Sequence, residues 1–311
     1  MTIECPIYYQ EESVQHWLDA FAQQCPHLDV KDWQQVAHPE DVHYGIVWRP
    51  SAEFFARFPN LKAVLNLGAG VDGILRHPQL PESVQVLRLE NAGMGAQMNE
   101  YFAYHVMHYH RHMDRYNAQQ NNAQWQVFPG QPAKDFRVGL LGLGELGSSV
   151  ASCLQGFGYT LSGWSRSQKT LDGIKCYAGA EQLDQFLSEV DALCCLLPLT
   201  EATRDILNKE NMSKLPKGAV IINAARGEHL VEEDLIELLN SGHLRGAVVD
   251  TLRTEPLSSD SPLWRQPGLI ITPHCAAQSW LAPSVEQIGN NIDAMLAGQQ
   301  PSGIVERNRG Y

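Results

Sequence analysis

The sequence is poor in several features, and each shortage removes a class of protein. Basic residues are scarce: 23 Lys plus Arg stand against 35 Asp plus Glu in 311 residues, a formal charge of −12. Nucleic acid and anionic membranes both need a basic face, so neither is expected as a partner. An anionic ligand would have to be caught by a local cationic spot. The seven cysteines are irregularly spaced, with Cys194 and Cys195 adjacent and no CxxC pair. That excludes a zinc ribbon and a disulfide framework, and fits free thiols in a reducing compartment. Apolar runs such as Ala192 to Leu199 fall far short of the roughly 20 residues of a membrane span. The opening MTIECPIYYQEES has no basic segment and meets Glu4 almost at once, so no secretory signal is expected. These absences lead to a cytoplasmic protein as the expectation. Low-complexity segments and short-period repeats are also missing.

What remains is ordinary globular material. Apolar residues make up 44% and charged residues 19% of the chain, and at about 150 residues per domain the length predicts two domains. In the first hundred residues, short apolar runs alternate with amphipathic stretches. Strands are predicted at Ile3–Tyr8, Gly45–Trp48, Lys62–Leu67 and Val84–Leu89. A helix is predicted over Ser13–Gln24, where Val14, Trp17, Leu18 and Phe21 recur at helical spacing. The segment Asn91–Asn99 reads as a loop, and a single long helix is predicted from about Glu100 to about Gln120, followed by a polar connection. A second run of strands follows at Phe136–Leu141, Thr160–Trp164, Ile174–Tyr177, Ala192–Leu196, Ala219–Asn223, Gly246–Val249 and Gly268–Thr272, with a helix over Val231–Leu239. Alternating strands and helices give parallel sheets. The predicted class is therefore α/β, with two Rossmann-like, doubly wound parallel-sheet domains and a cleft between them.

Gly142-Leu143-Gly144-Glu145-Leu146-Gly147 is the sharpest local signal. It follows the apolar strand FRVGLL and opens a helix, which is the setting a dinucleotide-binding loop requires. Gly142 allows the tight turn, Gly144 lets backbone approach a pyrophosphate, and Gly147 lets helix and strand pack closely. The amides of Glu145 and Leu146 open the helix facing the anion. An NAD site wants an acidic residue about 20 residues on. Here the next strand ends in Ser165-Arg166-Ser167, and no acidic residue occurs between Glu145 and Asp172. Arg166 with the hydroxyls of Ser165 and Ser167 suits a 2′-phosphate, so NADP(H) is expected in preference to NAD(H).

Arg226, Glu255 and His274 sit at or just after predicted strand ends, which in an open parallel sheet face one crevice. An arginine can hold a carboxylate bidentately and polarise the neighbouring carbonyl. A histidine can protonate a carbonyl oxygen as hydride reaches its carbon, and a glutamate can hold that imidazole in one orientation.

With these residues the sequence resembles the D-isomer-specific 2-hydroxyacid dehydrogenases, through LGLGELG at 141–147, LPLTEATRDILN at 197–208, NAARGEHLVEEDLIELLNSGHLRGAVVD at 223–250, EPL at 255–257, SPLW at 261–264 and TPHCAA at 272–277. The resemblance spans nearly the whole chain. It implies a catalytic set of Arg226, Glu255 and His274, and a cofactor lined also by Leu197, Pro198, Ala224 and Asp250. It further implies a homodimer and a C-terminal helix from about Ser279 that returns to the first domain. The expected division is 1–97 plus 279–311, a flavodoxin-like substrate domain, and 98–278, the dinucleotide-binding domain. The segments NLGAGVDGIL at 66–75, GMGAQMNEY at 93–101 and WSRSQK at 164–169 resemble the glyoxylate/hydroxypyruvate reductase branch. There the amides of the loop around Ala69 and Gly70 would hold the substrate carboxylate, an arrangement that glycines leave open. Trp48 and Arg49 would wall the pocket.

No metal is expected: His105, His108, His110 and His112 read as helix-surface or packing residues, and Cys153, Cys194 and Cys195 as core. The expected activity is NADPH-dependent reduction of small 2-oxoacids, glyoxylate and hydroxypyruvate. Two alternatives stay open, a dehydrogenase for another 2-hydroxy acid and a nucleotide-sensing binding protein on the same fold. Because the chain stops at Tyr311, no regulatory domain is expected.

Overall fold

A computed structural model describes residues 3–10 and 13–310. Met1, Thr2, Glu11, Glu12 and Tyr311 lie outside the described residues, and with them the expected domain ends at 1 and 311. The chain forms two compact units, Met1–Met94 with Ser279–Tyr311, and Gly95–Gln278.

The first unit runs β1 (Ile3–Tyr9), α1 (Gln15–Gln24), β2 (Leu28–Asp32), β3 (Tyr44–Trp48), α2 (Ala52–Arg57), β4 (Ala63–Asn66), α3 (Asp72–Leu75) and β5 (Gln85–Leu87). The strands form one parallel sheet in the order β2-β1-β3-β4-β5. β2 is absent from the sequence reading because LDVKD carries three charges. Such a sequence suits an edge, where charged side chains also deter pairing with other chains. Lys31 there is held by Glu4 at 2.9 Å and Asp29 at 2.6 Å.

The second unit opens with α4 (Met94–His110), whose first residue still belongs to the first unit, and α5 (Met113–Asn121). The expected single helix from Glu100 to Gln120 is corrected in two ways. It begins six residues earlier, within the segment read as a loop: Ala92 and Gly93 make the turn at φ 42° and 84°, and Met94 N–H donates to the Asn91 carbonyl at 2.7 Å. It also breaks after His110, because His112 takes φ 59° while its Nε2 meets the Pro129 carbonyl at 3.2 Å. Then come β6 (Arg137–Leu141), α6 (Glu145–Gly156), β7 (Thr160–Ser165), β8 (Ile174–Ala178), α7 (Leu183–Ser188), β9 (Ala192–Cys195), α8 (Lys209–Met212), β10 (Ala219–Asn223), α9 (Glu232–Asn240), β11 (Leu244–Val249) and β12 (Leu269–Ile271).

These seven strands form a parallel sheet ordered β12-β11-β10-β9-β6-β7-β8. Side chains alternate across it, so each strand feeds two cores. Leu193, Cys195, Ile221 and Val249 join Phe186, Met212 and Leu235 on one face. Ala192, Cys194, Ile222 and Val248 join Phe102, Val106 and Val150 on the other. The adjacent cysteines thus belong to opposite faces and are both fully buried, whereas Cys153 is half-buried against the second core. Helices on both faces of parallel sheets make the class α/β and Rossmann-like, as expected. The strand order reverses between β6 and β9, where a doubly wound sheet opens a crevice at its carboxyl ends.

The chain then returns to the first unit in α10 (Leu281–Leu296). Gly289 lets α10 lie against Cys25, since an added Cβ would sit 2.5 Å from that sulfur. Ile304 bridges antiparallel to Leu87. Among the described residues, no helix is long and apolar enough to cross a membrane.

Candidate active site

The glycine loop lies at the strand-order reversal, between the carboxyl ends of β6 and β9. Gly142 has φ 104°, and a Cβ on it would meet the Leu196 carbonyl oxygen at 2.8 Å. A Cβ on Gly147 would lie 2.0 Å from the Gly142 oxygen. Both positions are closed to any larger residue. Gly144 is the opposite case: it is exposed, and an added Cβ would find nothing within 4 Å. Two glycines therefore shape the turn, and the third keeps the space before the amino end of α6 clear. Glu145 is exposed there and Leu146 half-buried. An open backbone surface at a 12-residue helix N-terminus suits a pyrophosphate.

At the end of β7, Arg166 and Ser167 are exposed and Ser165 is buried. The Ser165 hydroxyl donates to the Ser167 carbonyl at 2.8 Å, so its proton shapes the loop. Of the three residues, Arg166 and Ser167 are the exposed ones. On the other side of the glycine loop, Leu197 is buried, and the Pro198 carbonyl accepts from Thr203 Oγ1 at 2.7 Å. Ala224, just past β10, is also buried.

His274 Nδ1 lies 2.8 Å from Glu255 Oε2, and Glu255 Oε1 accepts from the Leu252 amide at 3.0 Å. Both carboxylate oxygens are thus engaged, one on the ring and one on the turn that carries the glutamate. His274 is exposed and has φ 52°, a conformation that costs a non-glycine residue of order 1 kcal/mol and persists only where its surroundings enforce it. Asp250 supplies that enforcement. It is 2% exposed, and its carbonyl accepts from the His274 amide at 2.8 Å. Its carboxylate accepts from Thr272 Oγ1 at 2.6 Å, from the Cys275 amide at 2.9 Å and from the Ala276 amide at 3.0 Å. Thr272 has one hydroxyl proton and gives it to Asp250, so the Tyr101 hydroxyl, 2.7 Å away, is the donor to Thr272. Burial raises the Tyr101 phenol well above its ordinary pKa, which keeps it a donor.

Arg226 is half-buried just past β10, its Nη1 donating to the Ala225 carbonyl at 2.7 Å. The next residue brings this turn onto the Glu255 turn: a Cβ on Gly227 would lie 2.0 Å from the Leu252 carbonyl carbon. Leu252 is the residue whose amide Glu255 holds. The Arg226 turn, the Glu255 turn and the His274 loop are therefore contiguous.

In the first unit, Trp48 ends β3 and Arg49 follows it, beside the loop that follows β4. A Cβ on Gly68 would lie 2.5 Å from the Trp48 ring. The Arg49 guanidinium stands over that ring at 5.6 Å, with φ 50° at its backbone. Asn66 Nδ2 donates to the carbonyls of Gly68 and Gly70, each at 2.9 Å, which turns the carbonyls of the loop inward. Ala69 and Gly70 are half-buried. An open depression of about 580 Å³, lined by Tyr44, Lys62, Gln85 and Gln299 among others, is at the amino ends of β3 to β5, away from these residues.

The residues that sequence reasoning missed are those that hold the others: Tyr101, Thr272, Asn66 and Gly227, together with the loop-holding part played by Asp250. The family description "D-isomer specific 2-hydroxyacid dehydrogenase, NAD binding domain" matches residues 103–276, more than half of the chain. The chain belongs to the D-isomer specific 2-hydroxyacid dehydrogenase family. One similar member, from Xanthobacter autotrophicus Py2 in complex with NADPH and MES, is 37% identical, with both chains covered in full and a TM-score of 0.96. An NADPH-dependent glyoxylate/hydroxypyruvate reductase from Sinorhizobium meliloti, in complex with NADP and sulfate, is 33% identical over 100% of this chain and 99% of its own, with a TM-score of 0.91. A probable 2-hydroxyacid dehydrogenase from Rhizobium etli CFN 42, in complex with NADP, HEPES and L(+)-tartaric acid, is 31% identical at the same coverage, with a TM-score of 0.90.

In this dehydrogenase the four helix histidines differ in their surroundings, and His108 is half-buried. His105 and His110 are buried, His110 lying 3.0 Å from the Tyr159 hydroxyl and 2.8 Å from the Gln131 carbonyl, while His112 meets Pro129.

Proposed function

We propose that this dehydrogenase is an NADPH-dependent reductase of small 2-oxoacids, converting glyoxylate to glycolate and hydroxypyruvate to glycerate. The observation that carries the reading is the His274–Glu255 pair at 2.8 Å, set on strand-end loops of the sheet that bears the open glycine turn. Gly144, with clear space before α6, fits a bound dinucleotide. When bound, the reduced nicotinamide supplies the hydride for the carbonyl carbon. The chain's own residues do the rest. Glu255 holds Nδ1 of His274, leaving Nε2 to protonate the carbonyl oxygen. Arg226 grips the carboxylate next to that carbonyl through its planar fork. The amides of Ala69 and Gly70 are further carboxylate donors, and Trp48 with Arg49 lines the substrate region. Gly142, Gly147, Glu145, Leu146, Leu197, Pro198, Ala224 and Asp250 make up the cofactor side, Asp250 by holding the His274 loop.

NADPH is preferred over NADH on this reading because Arg166 and Ser167 are exposed where a 2′-phosphate would lie, with no carboxylate between Glu145 and Asp172. NADPH- and NADP-bound relatives support it. The unit Gly95–Gln278 is then the dinucleotide domain and the other the substrate domain. Seven unpaired cysteines suit a cytoplasmic setting. A homodimer fits Trp125 at 99% and Val127 at 79% exposure, apolar surface of the kind that partners cover. Following nicotinamide absorbance with glyoxylate or hydroxypyruvate tests the proposal: rapid loss of NADPH and little of NADH is expected. Silence with both acids, with cofactor binding intact, would overturn the substrate assignment.

A further inference from the structure

His229 has no part in the chemistry proposed above, yet it is completely buried at the edge of the site. It lies in the short turn after Arg226, and its ring reaches two loops. Nδ1 lies 3.2 Å from the Arg226 amide nitrogen and Nε2 lies 3.3 Å from the Pro198 carbonyl oxygen. The Arg226 amide can only donate, so Nδ1 faces it as an acceptor; the Pro198 carbonyl can only accept, so Nε2 carries the hydrogen. Nδ1 also lies 3.2 Å from the Arg226 carbonyl oxygen, so the other tautomer could donate there, but it would leave a lone pair on Nε2 against the Pro198 carbonyl; only the tautomer with hydrogen on Nε2 spans both loops. Burial holds the imidazole pKa below its ordinary value, in keeping with the neutral ring.

Both ends of this bridge are anchored independently. The Arg226 carbonyl accepts from Asn223 Nδ2 at 3.1 Å and from the His229 amide at 3.2 Å. The Pro198 carbonyl also takes Thr203 Oγ1, and Thr203 accepts in turn from the Thr200 amide at 2.9 Å. The loops themselves follow β10 and β9, neighbouring strands that pair in register through Asn223 and Cys195. His229 is therefore a strut across the carboxyl ends of two adjacent strands, joining a loop that follows one to a turn that follows the other.

We propose that His229 is a positioning residue that sets the Arg226 turn against the Pro198 loop, so that carboxylate binding and cofactor binding are built on one frame. This rests on the reading of Arg226 as the carboxylate clamp and Pro198 as part of the cofactor loop. The ring does not touch substrate; it fixes the backbone from which the guanidinium projects.

Two substitutions separate its ends. In His229→Asn the amide oxygen reaches the Nδ1 position and nothing replaces Nε2. In His229→Gln the longer amide reaches the Nε2 position and nothing replaces Nδ1. His229→Asn should keep the oxoacid KM within about twofold of the parent and weaken NADPH binding about tenfold, read as Kd by fluorescence titration without oxoacid. His229→Gln should do the reverse. Equal changes in both constants for the two variants, or no change in either, would overturn the proposal and leave a ring that only fills space. Arg226→Ala, measured alongside, guards the underlying reading. A raised oxoacid KM there with silent His229 variants sinks only the strut, whereas an unchanged KM there sinks the clamp and the strut together. If neither His229 variant folds, the ¹⁵N spectrum of the parent's histidines decides. A protonated Nε2 with bare Nδ1 is expected at His229, and a protonated Nδ1 would overturn the assignment.

Discussion

Glu255 holds His274 with one carboxylate oxygen and its own turn with the other, at 2.8 Å and 3.0 Å. The arrangement needs two acceptors on one side chain. A glutamine offers one acceptor and one donor, so Glu255→Gln must either turn an NH2 toward Nδ1 or abandon the Leu252 amide. Either way the ring loses its fixed orientation. Glu255→Gln should lower kcat by about 10²-fold, the range of a misplaced general acid, with the Kd for NADPH within a factor of about two. Steady-state rates with glyoxylate and a fluorescence titration of the cofactor check this. Unchanged kcat would remove Glu255 from the mechanism.

The three glycines of the dinucleotide loop should behave in two different ways when enlarged. Gly144→Ala places a methyl where nothing lies within 4 Å, at φ −76°, so the fold should tolerate it or gain slightly from reduced chain entropy. Gly147→Ala drives a methyl into the Gly142 carbonyl at 2.0 Å and should cost about 2 kcal/mol or more. Urea denaturation with NADPH titration separates them: Gly144→Ala should keep its midpoint and lose cofactor affinity, while Gly147→Ala should lose both. Normal NADPH affinity in a folded Gly144→Ala would show that the open space before α6 is not the cofactor's.

Arg166 is exposed at the end of β7, in a turn whose shape Ser165 fixes from inside. A charge-assisted contact to a 2′-phosphate contributes about 1.5–3 kcal/mol. Arg166→Ala should therefore weaken NADPH binding by about 10- to 100-fold and leave NADH within a factor of about two. Equal losses for both nucleotides would mean that the residue acts on the turn rather than on the phosphate.

The glycine turn was readable because its residues answer to local constraints: a φ of 104° at Gly142 and the close approach of Gly147 to Gly142 within a six-residue span. That the turns of Arg226, Glu255 and His274 come together was readable because strand ends of a parallel sheet share one edge. Tyr101 was not, since in sequence it is one more aromatic on an apolar helix, and its partner Thr272 is 171 residues away. The depth of Asp250 was hidden for a similar reason. An aspartate after a strand suggests a ligand, whereas its bonds run to a loop about 25 residues on. The break at His112 had no glycine or proline to announce it, because it is enforced by the later segment around Phe128 and Pro129.

His105 gives the fold a dependence on pH that the proposed catalytic residues need not share. Its ring is 4% exposed, lies against Tyr101 and Tyr104 with centroids 4.5 and 4.8 Å apart, and has no partner for Nδ1 among the described residues. Burial pushes its pKa down to about 4. Unfolding returns the ring to an ordinary value near 6.5, so below that pH the unfolded chain binds a proton that the folded chain refuses. The contribution is complete above about pH 6.5 and is lost progressively as pH falls toward 4. His229, also held below its ordinary value, acts in the same direction, and replacing His105 alone isolates one share. His105→Leu should thus lose less stability than the parent between about pH 7 and about pH 5, measured as the shift in urea midpoint at each pH. Parallel losses in the two proteins would mean that the buried imidazole does not govern the acid limb.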